Sequence, residues 1–122
     1  MKAALYIVPT PIGNLDDITI RAIDVLRSVD IIAAEDTRHS KPLLRHYDIA
    51  TTVVSFHEHS GESEAGALAE RIAQGQSIAL ISDAGTPLVF DPGYQLVRAV
   101  QGLALPIIPL PGPCAAIIAL SA

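Results

Sequence analysis

The chain has 122 residues, of which half are hydrophobic and 17% are charged, and its formal net charge is −5. This length fits one globular domain, and the composition excludes a disordered chain. The negative charge argues against a protein that wraps nucleic acid with its whole surface, because affinity for phosphate comes from clustered lysine and arginine side chains.

Nothing in the sequence indicates export or a membrane. The single cysteine, Cys114, cannot form an internal disulfide, and the N-terminus lacks the basic region and apolar core of a secretion signal. No apolar run approaches the roughly 18 residues that a membrane-spanning helix needs. We therefore expect a cytoplasmic protein with no membrane association.

Five short runs rich in aliphatic residues are predicted to be β-strands. They are continuously apolar rather than alternating, and helix-like segments separate them. This pattern is typical of a parallel sheet that is covered by helices. The sequence therefore predicts an α/β fold with a five-stranded, mainly parallel sheet and helices on both faces. The predicted strands are residues 5–8, 31–34, 52–56, 78–81 and 106–110.

Four helices are predicted between these strands. The first is expected to begin at a cap formed by Asp16 or Asp17, the second covers residues 41–47, and Gly75 ends the third. The fourth covers residues 93–100. Apolar residues predicted to form the buried stripe of the first helix are Ile18, Ala22, Val25, Leu26 and Val29.

The last twelve residues, 111–122, begin with a turn and then have the pattern of a helix without a C-terminal cap. A helix normally ends with residues that satisfy its last carbonyl groups. We therefore expect residues 1–122 to be a single cofactor-binding domain that a second, C-terminal domain follows in the complete protein.

Three loops stiffened by proline and glycine follow the first, fourth and fifth predicted strands. They cover residues 9–14, 82–93 and 111–115. Ligands of open parallel sheets bind beyond the carboxyl ends of the strands, and such loops present pre-set backbone groups to a flat, neutral ligand such as adenosine. The common phosphate-loop, dinucleotide and serine-hydrolase motifs are absent from the sequence. The alternative interpretation is that the loops are simple turns.

Four segments of the chain resemble the signature segments of the tetrapyrrole methylase family. They occur in the family's order, each at a predicted strand end, and together they span nearly the whole chain. The resemblance is greatest to members that methylate the 2'-oxygen of a cytidine in 16S ribosomal RNA of the small subunit. The segments are LYIVPTPIGNL at 5–15, AAEDTR at 33–38, SDAGTP at 82–87 and PLPGPCAA at 109–116.

The resemblance implies that S-adenosylmethionine binds in a cleft between two α/β domains and that the protein is a homodimer. This chain would be the first domain, so the fragment alone is expected to be inactive. Many relatives have aspartate where this chain has Thr86, and serine where it has Cys114. The implied cofactor-binding residues are Thr10, Pro11, Ile12, Gly13, Asp83, Thr86, Pro87, Leu88, Val89, Cys114 and Ala115.

Transfer of a methyl group to a ribose hydroxyl needs a base near the acceptor oxygen. Glu35 and Asp36 follow the second predicted strand, beside Arg38, and are candidates for that base. His57, after the third strand, is an alternative that titrates near neutral pH. The competing interpretation of Glu35 and Asp36 is a helix cap with a surface ion pair. We predict no metal site, because His57 and His59 lack a third ligand at suitable spacing.

A cationic segment offers a surface for the RNA. Arg38, Lys41 and Arg45 are three of the eight lysine and arginine residues and fall within eight positions. We expect them to contact substrate RNA, although a solvated helix face is the competing interpretation. A tetrapyrrole or precorrin C-methyltransferase is the main functional alternative, and a non-catalytic α/β domain is another.

Overall fold

The computed structural model describes residues 1–10, 18–34, 37–56, 61–83 and 92–110. Their elements alternate between strand and helix, as the sequence predicts for an α/β fold. The predicted helix within residues 111–122 lies outside the described residues. In chain order the elements are β1 (Leu5–Thr10), α1 (Ile20–Ser28), β2 (Ile31–Ala34), α2 (Thr37–His46), β3 (Thr52–Ser55), α3 (Gly61–Ala73), β4 (Ile78–Asp83), α4 (Pro92–Gly102) and β5 (Ile107–Pro109).

The five strands form one sheet in the order β3-β2-β4-β1-β5, and every neighbouring pair is parallel. The central strands β1 and β2 are buried at every residue, which explains why their sequences are continuously apolar. The edge strand β3 exposes Thr52 and Ser55. The predicted parallel sheet is therefore confirmed.

Helices cover both faces of the sheet, as predicted. In β1, Ile7 packs in a cluster with Leu68 of α3 and Leu96 of α4, whereas its neighbour Val8 packs with Leu26 of α1 and Leu44 of α2. The chain moves in one direction across the sheet through α1 and α2 and in the other through α3 and α4. Right-handed crossovers in opposite directions place their helices on opposite faces.

Helix α1 begins later than the sequence suggested. The prediction of a cap at Asp16 or Asp17 is wrong, because the N-cap is Thr19, whose hydroxyl accepts a 3.0 Å hydrogen bond from the backbone N–H of Ala22. The first backbone N–H groups of a helix have no partner within the helix. A capping side chain reaches them only from the position directly before the first helical residue, which is Ile20 here. The predicted apolar stripe of α1 is buried throughout.

Helix α2 begins four residues before the predicted start at residue 41 and contains Pro42. A proline lacks the N–H of a normal helical bond, so the sequence favours a start near it. The helix nevertheless extends back to Thr37, and Ser40, Leu43 and Leu44 on it are buried. Burial of that face stabilises the helix enough to offset one missing bond.

Gly75 ends α3 as predicted. It adopts a φ of 104°, a conformation open to glycine at small cost. Its N–H donates to the carbonyl of Ile72, and the next N–H, of Gln76, donates to the carbonyl of Arg71. Within the described residues, no helix combines the length and apolar character needed to cross a bilayer.

A polar contact joins β2 to β4 at the amino edge of the sheet. The carboxylate of Asp30 accepts hydrogen bonds from the backbone N–H of Ser77 at 2.9 Å and from its hydroxyl at 3.2 Å. The N–H of Asp30 donates to the carbonyl of Ser77 at 3.0 Å. The backbone bond first, and the hydroxyl bond second, lower the pKa of Asp30 below its ordinary value of 3.8.

This contact predicts a pH-dependent stability. Because the folded-state pKa of Asp30 is lowered, its contribution to stability is present above the unfolded pKa and disappears as the pH falls through the lower, folded-state pKa. The variant Asp30→Asn should melt below the parent near about pH 6, and this deficit should shrink in acid. Asp24→Asn, at an exposed position on α1, is the control. A deficit that does not change with pH would contradict the role of the Asp30 charge.

Candidate active site at the carboxyl edge of the sheet

The carboxyl ends of all five strands lie along one edge of the sheet, because every neighbouring pair is parallel. The register aligns Thr10 of β1 with Asp83 of β4. It also aligns Ala34 of β2 with Ile81 of β4, and Pro109 of β5 with Ile7 of β1. Strands β4, β1 and β5 are consecutive in the sheet, and they are the strands that the three Pro/Gly-rich loops follow.

Pairing between β1 and β4 extends to the last residue of each strand. The sequence placed these strand ends at residues 8 and 81, whereas the ladder continues to Thr10 and Asp83. The Thr10 side chain is buried, with 6% of its surface exposed. The backbone therefore holds two of the predicted cofactor-binding positions side by side at the carboxyl edge.

Most of the predicted site residues lie outside the described residues, so the structure gives no account of them. Among the described strand ends, Ala34 directly precedes Glu35 in the sequence, and Phe56 directly precedes His57. The Phe56 N–H donates to the Ala34 carbonyl at 2.8 Å, so the chain leaves β2 and β3 side by side. The predicted residues outside the described part are Pro11, Ile12, Gly13, Glu35, Asp36, His57, Thr86, Pro87, Leu88, Val89, Cys114 and Ala115.

Gln95 is a polar residue that the sequence analysis missed. It lies near the start of α4, the helix that begins on the carboxyl side of β4, and its side-chain oxygen is buried without a hydrogen-bond partner among the described residues. A buried unpaired oxygen is costly and needs a donor. In the sequence, the one hint of this buried oxygen is that Gln95 directly precedes Leu96, the first of the buried apolar residues that the structure describes on α4.

The three cations predicted to contact RNA lie together on α2. Arg38, Lys41 and Arg45 are all exposed, and with Pro42 and His46 they line an open surface groove of about 510 Å³. The first turn of α2 lies near the carboxyl edge, because the helix starts shortly after β2. We call these five residues the α2 groove.

The C-terminal end of α2 is anchored to α1. The guanidinium of Arg27, in the last turn of α1, donates to the carbonyl of Tyr47. The rings of His46 and Tyr47 meet edge to face with centroids 4.8 Å apart. Ile49, just after the helix, is buried against the same face of the sheet. The α2 groove is therefore carried on a helix that is fixed at its far end.

Proteins of similar sequence are named as RNA methyltransferases. The chain is 58% identical over 121 residues to "Ribosomal RNA small subunit methyltransferase I" of Escherichia coli O157:H7, covering 99% of this chain and 42% of that protein. It is 52% identical over 118 residues to the protein of the same name in Bacillus subtilis (strain 168), covering 97% of this chain and 40% of that protein. The chain thus spans about two fifths of the length of these relatives.

Solved structures with low sequence identity share the fold. Uroporphyrin-III-C-methyltransferase from Thermus thermophilus superimposes with a TM-score of 0.66 at 19% identity, over 97% of this chain and 53% of that one. Cobalt precorrin-4 methyltransferase gives a TM-score of 0.70 at 21% identity, over 90% and 46% of the two chains.

The family resemblance noted in the four sequence segments agrees with a family model. That model, for the tetrapyrrole (corrin/porphyrin) methylases, matches residues 4–122, which is nearly the whole chain. The matched span includes all five strands and the carboxyl edge along which their ends are aligned. The chain therefore belongs to the tetrapyrrole methylase family.

Proposed function

We propose that this chain is the cofactor-binding part of an S-adenosylmethionine-dependent enzyme that methylates the 2'-oxygen of a cytidine in 16S ribosomal RNA. The observation that carries the proposal is the 58% identity to a protein named as a ribosomal RNA small subunit methyltransferase. Its physical support is the alignment of β4, β1 and β5 at one edge, where the three stiffened loops begin.

The residues at the carboxyl edge fit an adenosyl ligand. Thr10 and Asp83 end adjacent strands, and the buried oxygen of Gln95 offers an acceptor for a ligand N–H or O–H group. One structural neighbour, a uroporphyrin-III C-methyltransferase with a TM-score of 0.64 at 16% identity, was solved with S-adenosyl homocysteine. The predicted loop residues Pro11, Ile12 and Gly13, 86–89, and 114–115 would complete the pocket.

The bound cofactor would supply a methyl group on a sulfonium, which is already electrophilic. The chain's own residues then have two tasks, to fix the position of the acceptor oxygen and to accept its proton. Glu35 and Asp36 follow β2 in the sequence, and His57 follows Phe56 after β3. One of these three side chains would take the proton.

The α2 groove would contact the RNA through Arg38, Lys41 and Arg45. These cations lie on a helix that starts near the carboxyl edge, so RNA bound to them would pass close to the acceptor site. A tetrapyrrole or precorrin acceptor is the second candidate function, because such enzymes share the fold. The names of the relatives at 52–58% identity favour RNA over that acceptor.

The complete enzyme is proposed to be a cytoplasmic homodimer with a second domain. The relatives are more than twice as long as this chain, which leaves room for the other wall of a cleft. A cofactor held between two walls is shielded from water and from wrong acceptors. We propose that residues 1–122 alone do not turn over.

Methyl transfer to isolated ribosomal subunits tests the function. The full-length protein and labelled S-adenosylmethionine should label purified small subunits that lack the modification. The labelled nucleotide should resist alkaline cleavage, because a 2'-O-methyl group removes the attacking hydroxyl. Subunits that already carry the modification are the control. Labelling of a tetrapyrrole instead of RNA would reject the proposal in favour of the second candidate.

Calorimetry with S-adenosylhomocysteine tests the non-catalytic alternative. The full-length protein should bind this compound, which is the product that the cofactor leaves after methyl transfer, and absence of binding would reject an S-adenosylmethionine-dependent activity altogether.

A further inference from the structure

Charge is distributed unevenly along the chain, and α2 holds the excess of positive charge. The ten residues Thr37–His46 contain three of the eight lysine and arginine residues and no aspartate or glutamate. The other five basic residues and all thirteen acidic residues give the rest of the chain a formal charge of −8. The α2 groove is thus a cationic strip on a chain whose other residues carry a net negative charge.

The cations of the groove form a single row. Arg38, Lys41 and Arg45 are spaced three and four positions apart, which places them within about 60° of each other around a helix of 3.6 residues per turn. The row extends about 10 Å along the helix axis at a rise of 1.5 Å per residue. Pro42 lies between them in the groove, where its ring gives the lining an apolar component.

Helix stability does not explain the position of Arg38 in this row. The N-terminus of a helix carries partial positive charge, so acidic residues are favourable in the first turn and basic residues are favourable in the last. Arg45 in the last turn of α2 follows this rule, but the first turn contains Arg38 and no acidic residue. Arg38 and the helix N-terminus together present positive charge, which suits an anionic ligand.

The direction of α2 gives the row an orientation relative to the candidate active site. Helix α2 starts after β2 ends, at the carboxyl edge, and leads back towards the amino edge, where β3 begins. Of the three cations in the row, Arg38 is therefore the nearest to the candidate active site and Arg45 is the farthest from it. An anionic polymer bound along the row would run away from the acceptor position.

We propose that the α2 groove binds the phosphates of a single-stranded RNA segment that leads away from the methylated nucleotide. This inference rests on the proposed function. A single strand presents one row of phosphates, which matches one row of cations, whereas a duplex presents two rows. The sugars between the phosphates would pack on Pro42 and on the aliphatic stems of Lys41 and Arg45.

The salt dependence of RNA binding tests this proposal without measuring methyl transfer. The probe is a fluorescent single-stranded RNA that contains the target cytidine, titrated with the full-length protein and S-adenosylhomocysteine. For a single strand, each lost phosphate contact lowers the slope of log K against log salt by about 0.7. The triple variant R38Q/K41Q/R45Q should therefore lose about 2 from the slope and raise Kd at least roughly tenfold.

Arg45→Gln and Arg71→Gln form a matched pair of single variants. Both arginines are exposed and lie in the last turn of their helices, so both variants lose the same favourable interaction with the helix dipole. Arg71 is on α3, on the opposite face of the sheet. Only Arg45→Gln should lower the salt slope, and both variants should keep the parent's affinity for S-adenosylhomocysteine.

Three outcomes would overturn the proposal. The first is an α2 triple variant whose salt slope equals that of Arg71→Gln. The second is binding of a duplex of the same sequence that is tighter than binding of the single strand and that loses this advantage in the triple variant. The third is a triple variant that binds the RNA probe as tightly as the parent but binds whole small subunits more weakly. That result would show that the groove contacts a ribosomal protein instead of RNA. A protein that binds RNA through α2 but transfers no methyl group would instead reject the proposed function.

Discussion

Neutralising the side chain that accepts the 2'-proton is expected to lower kcat by about 10²- to 10⁴-fold. The three variants to compare are Glu35→Gln, Asp36→Asn and His57→Gln in the full-length protein. The effective variant should keep its affinity for S-adenosylhomocysteine, because the base acts on the acceptor and not on the cofactor. It should also remove the acidic limb of the pH profile of kcat, since that limb reports protonation of the base.

Glu64→Gln is the control for these variants. Glu64 is an exposed acid on α3, so its neutralisation changes the net charge by the same amount as Glu35→Gln. Single-turnover measurements with labelled cofactor separate the chemical step from product release. If all three variants turn over at the parent's rate and keep its pH profile, the base is not among the residues that follow β2 and β3.

Truncation of Phe56 is expected to have the largest effect on stability. Its side chain is 1% exposed and packs in the cluster under α3 and α4, so Phe56→Ala should lower the free energy of unfolding by about 3–5 kcal/mol. That loss is large, because the whole free energy of unfolding of a typical domain is roughly 5–15 kcal/mol. Urea denaturation followed by circular dichroism measures it.

Leu103→Ala is the matched control, because Leu103 is another large apolar residue but is 42% exposed. Its replacement should change the free energy of unfolding by less than about 0.5 kcal/mol. Equal losses for the two variants would show that burial does not set the cost. A loss confined to Phe56→Ala with an unchanged denaturant slope would locate the effect in the folded core.

The strands were predictable because each central strand is buried on both faces. That requirement makes the whole run apolar, and the runs at residues 5–8 and 31–34 have no polar residue to interrupt them. Strand order was not predictable from such runs. The insertion of β4 between β2 and β1 depends on pairings such as Leu5 with Ile78, and these are set by the packing of the whole domain.

Local signals also misplaced the starts of two helices. For α1, the predicted cap was Asp16 or Asp17, but the residue beside the first turn is Thr19, and only that residue can cap it. For α2, the predicted start at residue 41 left out residues 37–40, although Ser40 is buried together with Leu43 and Leu44. A local cap decided the start of α1, whereas burial decided the start of α2.

The candidate site was predictable to the extent that it depends on strand ends. Parallel strands alternating with helices must bring the residues after β1, β4 and β5 to one edge, and the sequence carries that information. The side-chain oxygen of Gln95, which has no hydrogen-bond partner within the described part of the chain, and the contact between Asp30 and Ser77 were not predictable. The Asp30–Ser77 contact joins residues that are 47 positions apart, and no local sequence pattern marks Gln95.

The position of β4 has a consequence for biosynthesis. A ribosome releases β1, β2 and β3 before β4, yet β1 and β2 each pair with β4 and not with each other. Until residue 83 has emerged, the nascent chain holds two apolar strands with no central partner, and such unpaired edges invite aggregation. The sheet therefore forms late in synthesis, because both its central strand β4 and the edge strand β5 follow β3 in the chain, and pairings between distant segments slow folding.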